Sequence, residues 1–167
     1  VDDSINLETP GAGVTVNVAQ GGAGTLFAQS DTPSVPFDSD SNPVTLGVSF
    51  SSTQSGSIVG LRYYKGVGNA GDHVGSLWTS TGTLLASATF KNESVSGWQT
   101  VLFDNPISIT AGTTYVASYF GTLGYAVTPN YFATPHTRGA LTATNGSFTY
   151  GNQNLFPTTQ SNGSNYW

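Results

Sequence analysis

The stretch 44-VTLGVSF-50 decides the fold class, because it alternates large apolar side chains with small or polar ones. Its large apolar residues are Val44, Leu46, Val48 and Phe50. Successive side chains of a β-strand point to opposite faces, so a period of two places these four residues on one face. The stretch therefore predicts a β-strand that buries one face in a core.

The same alternation recurs along much of the chain, in residues 59–64, 82–90, 98–103 and 115–119. Turn-forming residues such as Gly, Ser and Asn separate these runs, and no long segment places apolar residues at helical spacing. Short strands at this spacing are typical of antiparallel sheets. We therefore predict an all-β fold, namely an antiparallel, jelly-roll-like β-sandwich in a single domain.

The first part of the chain is richer in Gly, Ser, Asp and Pro than the rest. We predict that residues 1–24 are a leader segment with a possible edge strand, formed by Val14, Val16 and Val18, and that residues 19–43 are mostly a long loop. The β-sandwich module is expected to span residues 25–167. We expect the module to be cut from a larger secreted protein, and to be a monomer within that multidomain chain.

Composition excludes several classes of partner. Charged residues make up 8% of the 167 residues, against about 25% in a typical globular domain. The chain has four Lys and Arg and nine Asp and Glu, which gives a net charge of −5. Neutralising phosphates needs several clustered cations, so we expect no binding to nucleic acid or to anionic lipid. No run of about 18 apolar residues exists, so we also expect no membrane insertion.

The polar surface must then be built from Ser, Thr, Asn, Gln and Gly. Such a surface is common in secreted bacterial β-modules and unusual in cytoplasmic enzymes. We therefore expect a secreted or cell-surface location.

Several short motifs, in their order and spacing, resemble one known family. They are VTLGVSF at 44–50, LRYYKG at 61–66, HVGSLW at 73–78, GTLLA at 82–86, NES at 92–94, SGWQ at 96–99 and AGTTYVASY at 111–119. Together they resemble the bacterial domain of unknown function 4082 family over roughly residues 25–150. The resemblance implies a β-sandwich module of large extracellular bacterial proteins, often beside polysaccharide-degrading domains. It implies an accessory role, and it supplies no catalytic motif.

Aromatic residues suggest a first candidate site. A sugar presents C–H faces that stack on aromatic rings, while neighbouring polar side chains bind its hydroxyls. Arg62 and Tyr64 lie opposite the apolar face of their strand and Trp78 lies opposite Leu77, so the three are predicted to share one face. The adjoining Gly-rich loop adds polar candidates, which are Lys65, Asn69, Asp72 and His73. Alternatively, the rings pack under a loop and Arg62 pairs with Glu93.

A second candidate site combines Tyr119, Tyr125 and Tyr131 with Phe132, around the loop at residues 121–124. Loops at the end of a sandwich often carry ligand sites. The alternative is a small core beneath a long loop.

The spacing of Asp38, Asp40 and Asn42 predicts a metal site. Their oxygen-bearing side chains recur at i, i+2 and i+4, as at the start of a calcium-binding loop. The Gly and the final Glu of an EF-hand are absent, so backbone carbonyls would supply the remaining ligands. We predict a structural Ca²⁺ here; the alternative is a solvated acidic turn.

These patterns favour a non-catalytic carbohydrate-binding module that targets a larger secreted bacterial protein to polysaccharide or glycan. The alternative is a structural or adhesion spacer of a cell-surface protein with no small ligand. A glycoside-active enzyme is a third class, and it needs two carboxylates roughly 5–10 Å apart. Only Glu8 and Glu93 are glutamates, most Asp residues fall in turns, and no hydrolase or zinc motif is present. We therefore expect no catalysis.

Overall fold

The computed structural model describes residues 15–18 and 22–167. The described residues form thirteen strands and one short 3₁₀ helix, Tyr131–Ala133. The strands are β1 (Thr15–Val18), β2 (Gly22–Thr25), β3 (Val35–Asp38), β4 (Val44–Ser52), β5 (Gly56–Lys65), β6 (Val74–Thr79), β7 (Leu84–Thr89), β8 (Gly97–Ile109), β9 (Thr114–Gly121), β10 (Tyr125–Val127), β11 (His136–Arg138), β12 (Leu141–Tyr150) and β13 (Thr159–Gln160). The predicted all-β, antiparallel sandwich is confirmed.

Two antiparallel sheets make up the sandwich. The smaller sheet has the order β2-β1-β5-β8, and the larger has the order β11-β12-β4-β9-β6-β7, with β13 paired to β12. A two-stranded ribbon of β10 and β3 lies apart from both. The deciding stretch forms most of β4, which pairs with β12 on one side and β9 on the other.

The core lies between the two sheets. Leu46 and Phe50 of β4 are buried, as the alternation predicts. The rings of Tyr63 on β5 and Tyr119 on β9 stack across the core with centroids 4.4 Å apart. Such offset aromatic pairs add to the free energy gained from burying the rings.

The outer face of the larger sheet is covered as well. Residues 151–158 cross it, and the backbone amide of Leu155 donates to Oγ1 of Thr45, which is fully buried. A Cβ at Gly47 would lie 2.9 Å from Pro157, so this crossing requires glycine there. The polar face of β4 is therefore packed against protein at Thr45 and Gly47, whereas Ser49 and Ser51 on the same face stay partly exposed.

The N-terminal region differs from the prediction. Residues 19–43 were predicted as a loop, but they include β2 and β3, while residues 19–21 lie outside the described part. The strand predicted at Val14, Val16 and Val18 exists as β1, but it is not an edge strand, because it pairs with β2 on one side and β5 on the other. Val14 itself lies outside the described residues. The β2 sequence, Gly-Ala-Gly-Thr, has no apolar alternation, so periodicity could not reveal it.

Within the described residues, no helix has the length and hydrophobicity to cross a membrane.

Candidate functional site

The first predicted site is divided between the two sheets. Arg62 and Tyr64 do lie on one face of β5, opposite Leu61 and Tyr63, but Trp78 lies on β6 in the larger sheet. The prediction that these three share a face is therefore wrong, because the loop at residues 66–73 crosses from one sheet to the other.

Trp78 is buried, with 6% of its surface exposed. Its ring lies edge-on to Phe156 of the covering segment, and its Nε1 donates to Oγ of Ser118 at 2.8 Å. Both the ring face and the indole N–H are thus used within the fold. Trp78 is a packing residue of the outer layer.

Trp98 takes the position that was predicted for Trp78. It pairs with Tyr64 across β5 and β8, and the two rings meet edge to face at 5.6 Å. The guanidinium of Arg62 lies 5.4 Å from the Trp98 ring, and its Nη2 donates to Gln29. Burial lowers the pKa of Arg62 to about 10, so it stays cationic at neutral pH. The predicted alternative, pairing with Glu93, does not occur, because Glu93 binds other partners.

Phe27 is the centre of an aromatic cluster at this end of the sandwich. Only 3% of Phe27 is exposed. Four rings lie with centroids 5.0 to 6.3 Å from its own, namely those of Trp98, Tyr131, His136 and Trp167. We call this set the Phe27 cluster. Tyr131, which was predicted to bind ligand beside Tyr125, packs here instead.

Three residues of the predicted polar loop are bound to Glu93, directly or through His73. Glu93 accepts from Nζ of Lys65 at 2.6 Å, from the hydroxyl of Tyr63 at 3.0 Å, and from Nδ1 of His73 at 2.9 Å. His73 Nε2 lies 2.6 Å from Oδ1 of Asn69. Both His73 and Asn69 are buried, whereas Asp72 is exposed. We call these five residues, Tyr63, Lys65, Asn69, His73 and Glu93, the Glu93 network.

The Glu93 network is closed to solvent on most sides. Burial lowers the pKa of His73, although the negative charge of Glu93 acts in the opposite direction. The imidazole has no exposed surface, so it cannot reach a substrate. The network therefore fastens the loop at residues 66–73 to the loop at residues 91–96.

The most exposed aromatic residue of the described ranges, Tyr150, lies at the C-terminal end of β12. Tyr150 is 51% exposed, and it is the only aromatic among the most exposed large apolar residues in the described ranges. A row of half-buried rings leads away from it: the ring centroid of Phe148 lies 5.7 Å from that of Tyr150, Tyr166 lies 6.1 Å from Phe148, and Tyr125 lies 5.6 Å from Tyr166. We call these four residues and the adjoining Asp38, Asp40 and Asn42 the tyrosine surface.

The polar side of the tyrosine surface is held in place by hydrogen bonds. The Tyr150 hydroxyl donates to Oδ2 of Asp40 at 2.7 Å, and Asn42 donates to Oδ1 of Asp40 from both its backbone and its side-chain nitrogen. The hydrogen bond from Tyr150 lowers the pKa of Asp40, and the same bond raises the pKa of Tyr150 to about 12. At neutral pH Asp40 is therefore a carboxylate and Tyr150 a neutral phenol.

Backbone contacts bring these residues together. Tyr125 pairs with Asp38 in the ribbon of β10 and β3, and the amide of Gly124 donates to the carbonyl of Asp40 at 2.8 Å. Gly124 has a φ of 68°, and a Cβ there would overlap the ring of Phe37. Glycine is thus required both for the left-handed backbone and for the close approach.

The second predicted site is therefore only partly assembled. Tyr125 belongs to the tyrosine surface, but Tyr119 is buried, with 4% exposed, and Tyr131 and Phe132 lie with the Phe27 cluster. Sequence analysis missed Tyr150 and Tyr166. The alternation of Phe148 and Tyr150 was a usable signal, but it could not show that Tyr150 stays exposed in the folded chain.

The predicted calcium ligands Asp38, Asp40 and Asn42 lie next to one another. Their side chains make local hydrogen bonds, including one from the amide of Asp40 to Oδ1 of Asp38 at 3.1 Å. No group of three or more His, Cys, Asp or Glu suited to a metal occurs among the described residues. Asn42 and backbone carbonyls fall outside such a group, so the Ca²⁺ site stays a prediction.

The chain was compared with known proteins. No curated protein matches it. A family model described as Domain of unknown function (DUF4082) matches residues 30–167, which include every strand of the larger sheet, β5 and β8 of the smaller sheet, the Glu93 network and the tyrosine surface. The chain therefore belongs to the DUF4082 family, as its motifs had indicated.

Proposed function

We propose that this protein is a non-catalytic carbohydrate-binding module, which targets a larger secreted bacterial protein to polysaccharide or glycan through the tyrosine surface. The observation that supports this most is the open ring of Tyr150, 51% exposed and oriented by its hydrogen bond to Asp40. An exposed ring held in one orientation costs little conformational entropy when a ligand stacks on it.

The neighbouring groups suit the hydroxyls of a sugar. Asp40, Asp38 and Asn42 present oxygen acceptors beside the ring, and the half-buried Tyr125 and Tyr166 extend the apolar floor. Binding would combine stacking on Tyr150 with direct and water-mediated hydrogen bonds to the carboxylates. No covalent step is involved.

The carboxylates of the fold are poorly suited to glycoside hydrolysis. A general acid needs a raised pKa, whereas the pKa of Asp40 is lowered by its hydrogen bonds. Glu93, the only glutamate in the described residues, binds Lys65, Tyr63 and His73 and faces the interior. These features support a binding role over a catalytic one.

A structural or adhesion spacer without a small ligand is the competing function. The burial of Trp78 and Tyr119, both predicted as ligand residues, favours it. A binding experiment on the tyrosine surface separates the two functions.

Replacing Tyr150 by alanine should weaken binding to a retained polysaccharide by about tenfold or more, because truncating an anchor aromatic typically costs about 2 kcal/mol and 1.4 kcal/mol is one decade. Tyr150→Phe keeps the ring and should lose only a few-fold. Affinity electrophoresis against a panel of polysaccharides measures the change. Leu102→Ala is the matched control, since Leu102 is 61% exposed on the other sheet.

Two results would contradict this proposal. If the wild-type protein migrates unretarded through every polysaccharide of a broad panel, the spacer function is favoured. If the protein binds and folded Tyr150→Ala binds equally well, the site lies elsewhere.

Calcium is expected to raise the thermal stability if Asp38, Asp40 and Asn42 hold it, because a ligand that binds only the folded state stabilises that state by mass action. Chelation should then lower Tm and excess Ca²⁺ should restore it. Asp38→Asn/Asp40→Asn is the control, and its Tm should not respond. Equal Tm values for the wild type in chelator and in millimolar Ca²⁺ would refute the site.

A further inference from the structure

The charges around the tyrosine surface all have one sign. Asp38 and Asp40 flank the rings: Asp40 accepts hydrogen bonds from Tyr150 and Asn42, and Asp38 pairs with Tyr125 in the ribbon of β10 and β3. Any acidic group on a ligand would therefore meet two negative charges near the stacking ring.

The positive side chains of the protein lie away from the tyrosine surface. All four Lys and Arg residues lie in the described ranges. Arg62 is buried against Trp98 and donates to Gln29, and Lys65 binds Glu93. Arg138 donates to the carbonyl of Thr25, and Lys91 lines the groove between β7 and β8 with Asp104. Arg62 and Lys65 have little exposed surface, so neither can pair with an anion bound at Tyr150.

Resting on the proposed function, we infer that the tyrosine surface, with no Ca²⁺ on Asp38 and Asp40, selects neutral glycans and rejects glycans that carry uronate or sulfate groups. The rings accept any sugar with an open C–H face, so they do not discriminate by charge. Asp38 and Asp40 do discriminate: they accept hydrogen bonds from sugar hydroxyls but repel a carboxylate or sulfate. Repulsion of this kind is a common source of specificity, because it acts against the wrong ligand without weakening the right one.

Matched polymers test this selectivity. Affinity electrophoresis at low ionic strength, with a chelator present to remove Ca²⁺, would compare hydroxyethyl cellulose with carboxymethyl cellulose, and methyl-esterified pectin with polygalacturonate. Each pair shares a backbone and differs in charge. Where the wild type binds a polymer of a pair, we expect it to bind the neutral member about tenfold or more tighter than the anionic member. Raising the salt concentration to about 1 M shortens the Debye length to about 3 Å, so the difference should shrink.

Two double variants separate the effect of the charges at the tyrosine surface from the effect of the protein's net charge. Asp38→Asn/Asp40→Asn should reduce the preference, which is the ratio of the two affinities, to about threefold or less. Because these carboxylates accept hydrogen bonds from sugar hydroxyls and Asp40 orients Tyr150, binding to the neutral polymer should weaken as well. Asp72→Asn/Asp104→Asn removes the same net charge at exposed positions outside the tyrosine surface and should keep the full preference.

The outcomes distinguish this inference from the proposed function. Equal or tighter binding of the anionic members, abolished by Tyr150→Ala, would overturn the charge selectivity while supporting the binding site. An equal loss of preference in both double variants would also overturn it, because the effect would then come from net charge alone. Binding to no polymer in the panel would overturn both.

Discussion

Replacing Glu93 by glutamine is expected to destabilise the protein by about 3 kcal/mol or more, since removing one partner of a buried ion pair leaves the other charge without compensation. Glu93 accepts hydrogen bonds from Lys65, Tyr63 and His73, and its side chain is 10% exposed. A glutamine amide has one acceptor oxygen and two N–H donors. It therefore cannot accept all three bonds, and it turns an N–H toward at least one donor.

The loss should be large because two buried groups depend on Glu93. Lys65 would keep its charge with little access to water, and the hydroxyl of Tyr63 would lose its acceptor inside the core. An unsatisfied buried polar group costs about 1–3 kcal/mol, and more when it is charged. Urea unfolding followed by tryptophan fluorescence measures the free-energy change.

A double-mutant cycle with Lys65→Met identifies the cause. If the uncompensated charge of Lys65 dominates, Glu93→Gln/Lys65→Met should be more stable than the sum of the single changes predicts. Asp72→Asn is the control, because Asp72 is exposed nearby and should change stability by less than about 0.5 kcal/mol. A loss below about 1 kcal/mol for Glu93→Gln would show that water reaches the network and that Lys65 is not buried with it.

The strands were predictable from the sequence, because the period of two is a local property of each stretch. The runs at residues 44–50 and 98–103 lie in β4 and β8 as expected. Which strands share a sheet is not local: consecutive strands are neighbours in only about two-thirds of cases. The loop after β5 crosses to the other sheet, and this alone moved Trp78 away from Arg62 and Tyr64.

The candidate site was predictable only in part for the same reason. Alternation tells which residues share a face, but it does not tell which face a later segment covers. Residues 151–158 bury Trp78, whereas Tyr150 at the end of β12 is 51% exposed. The chemistry of sugar binding pointed to aromatic residues beside Asp and Asn. The tyrosine surface has this composition, but most of its aromatic residues are not the predicted ones. Its exposure depends on long-range packing that no local pattern encodes.

Phe27 lies in a stretch without any periodic pattern, yet its ring is the centre of the Phe27 cluster. It follows β2 in a Gly-rich stretch and precedes residues 30–167, which the family model matches. Nevertheless, its ring fills the space between Trp98, Tyr131, His136 and Trp167. The short segment before the family match therefore completes the packing of this end of the sandwich.

Phe27→Ala is accordingly expected to cost about 3–5 kcal/mol of unfolding free energy, the usual range for truncating a buried phenylalanine. The cost has two parts: the transfer of the ring to water, and the cavity left among four rings that are anchored elsewhere. His136 Nε2 donates to the carbonyl of Leu26 and Trp98 Nε1 donates to the carbonyl of Asp31, so these rings cannot move freely to close the cavity. The same urea titration measures the loss.

Two further variants show whether packing is the cause. Phe27→Leu fills most of the volume and should recover more than half of the lost free energy, whereas Val67→Ala, at a site 75% exposed, should have little effect. The fluorescence of Trp98 and Trp167 should shift toward longer wavelength in Phe27→Ala, because water gains access to both rings. An unchanged free energy of unfolding would mean that the segment around Phe27 leaves the sandwich at little cost. The fold would then be complete within residues 30–167, and the four rings would form a pocket open to another occupant.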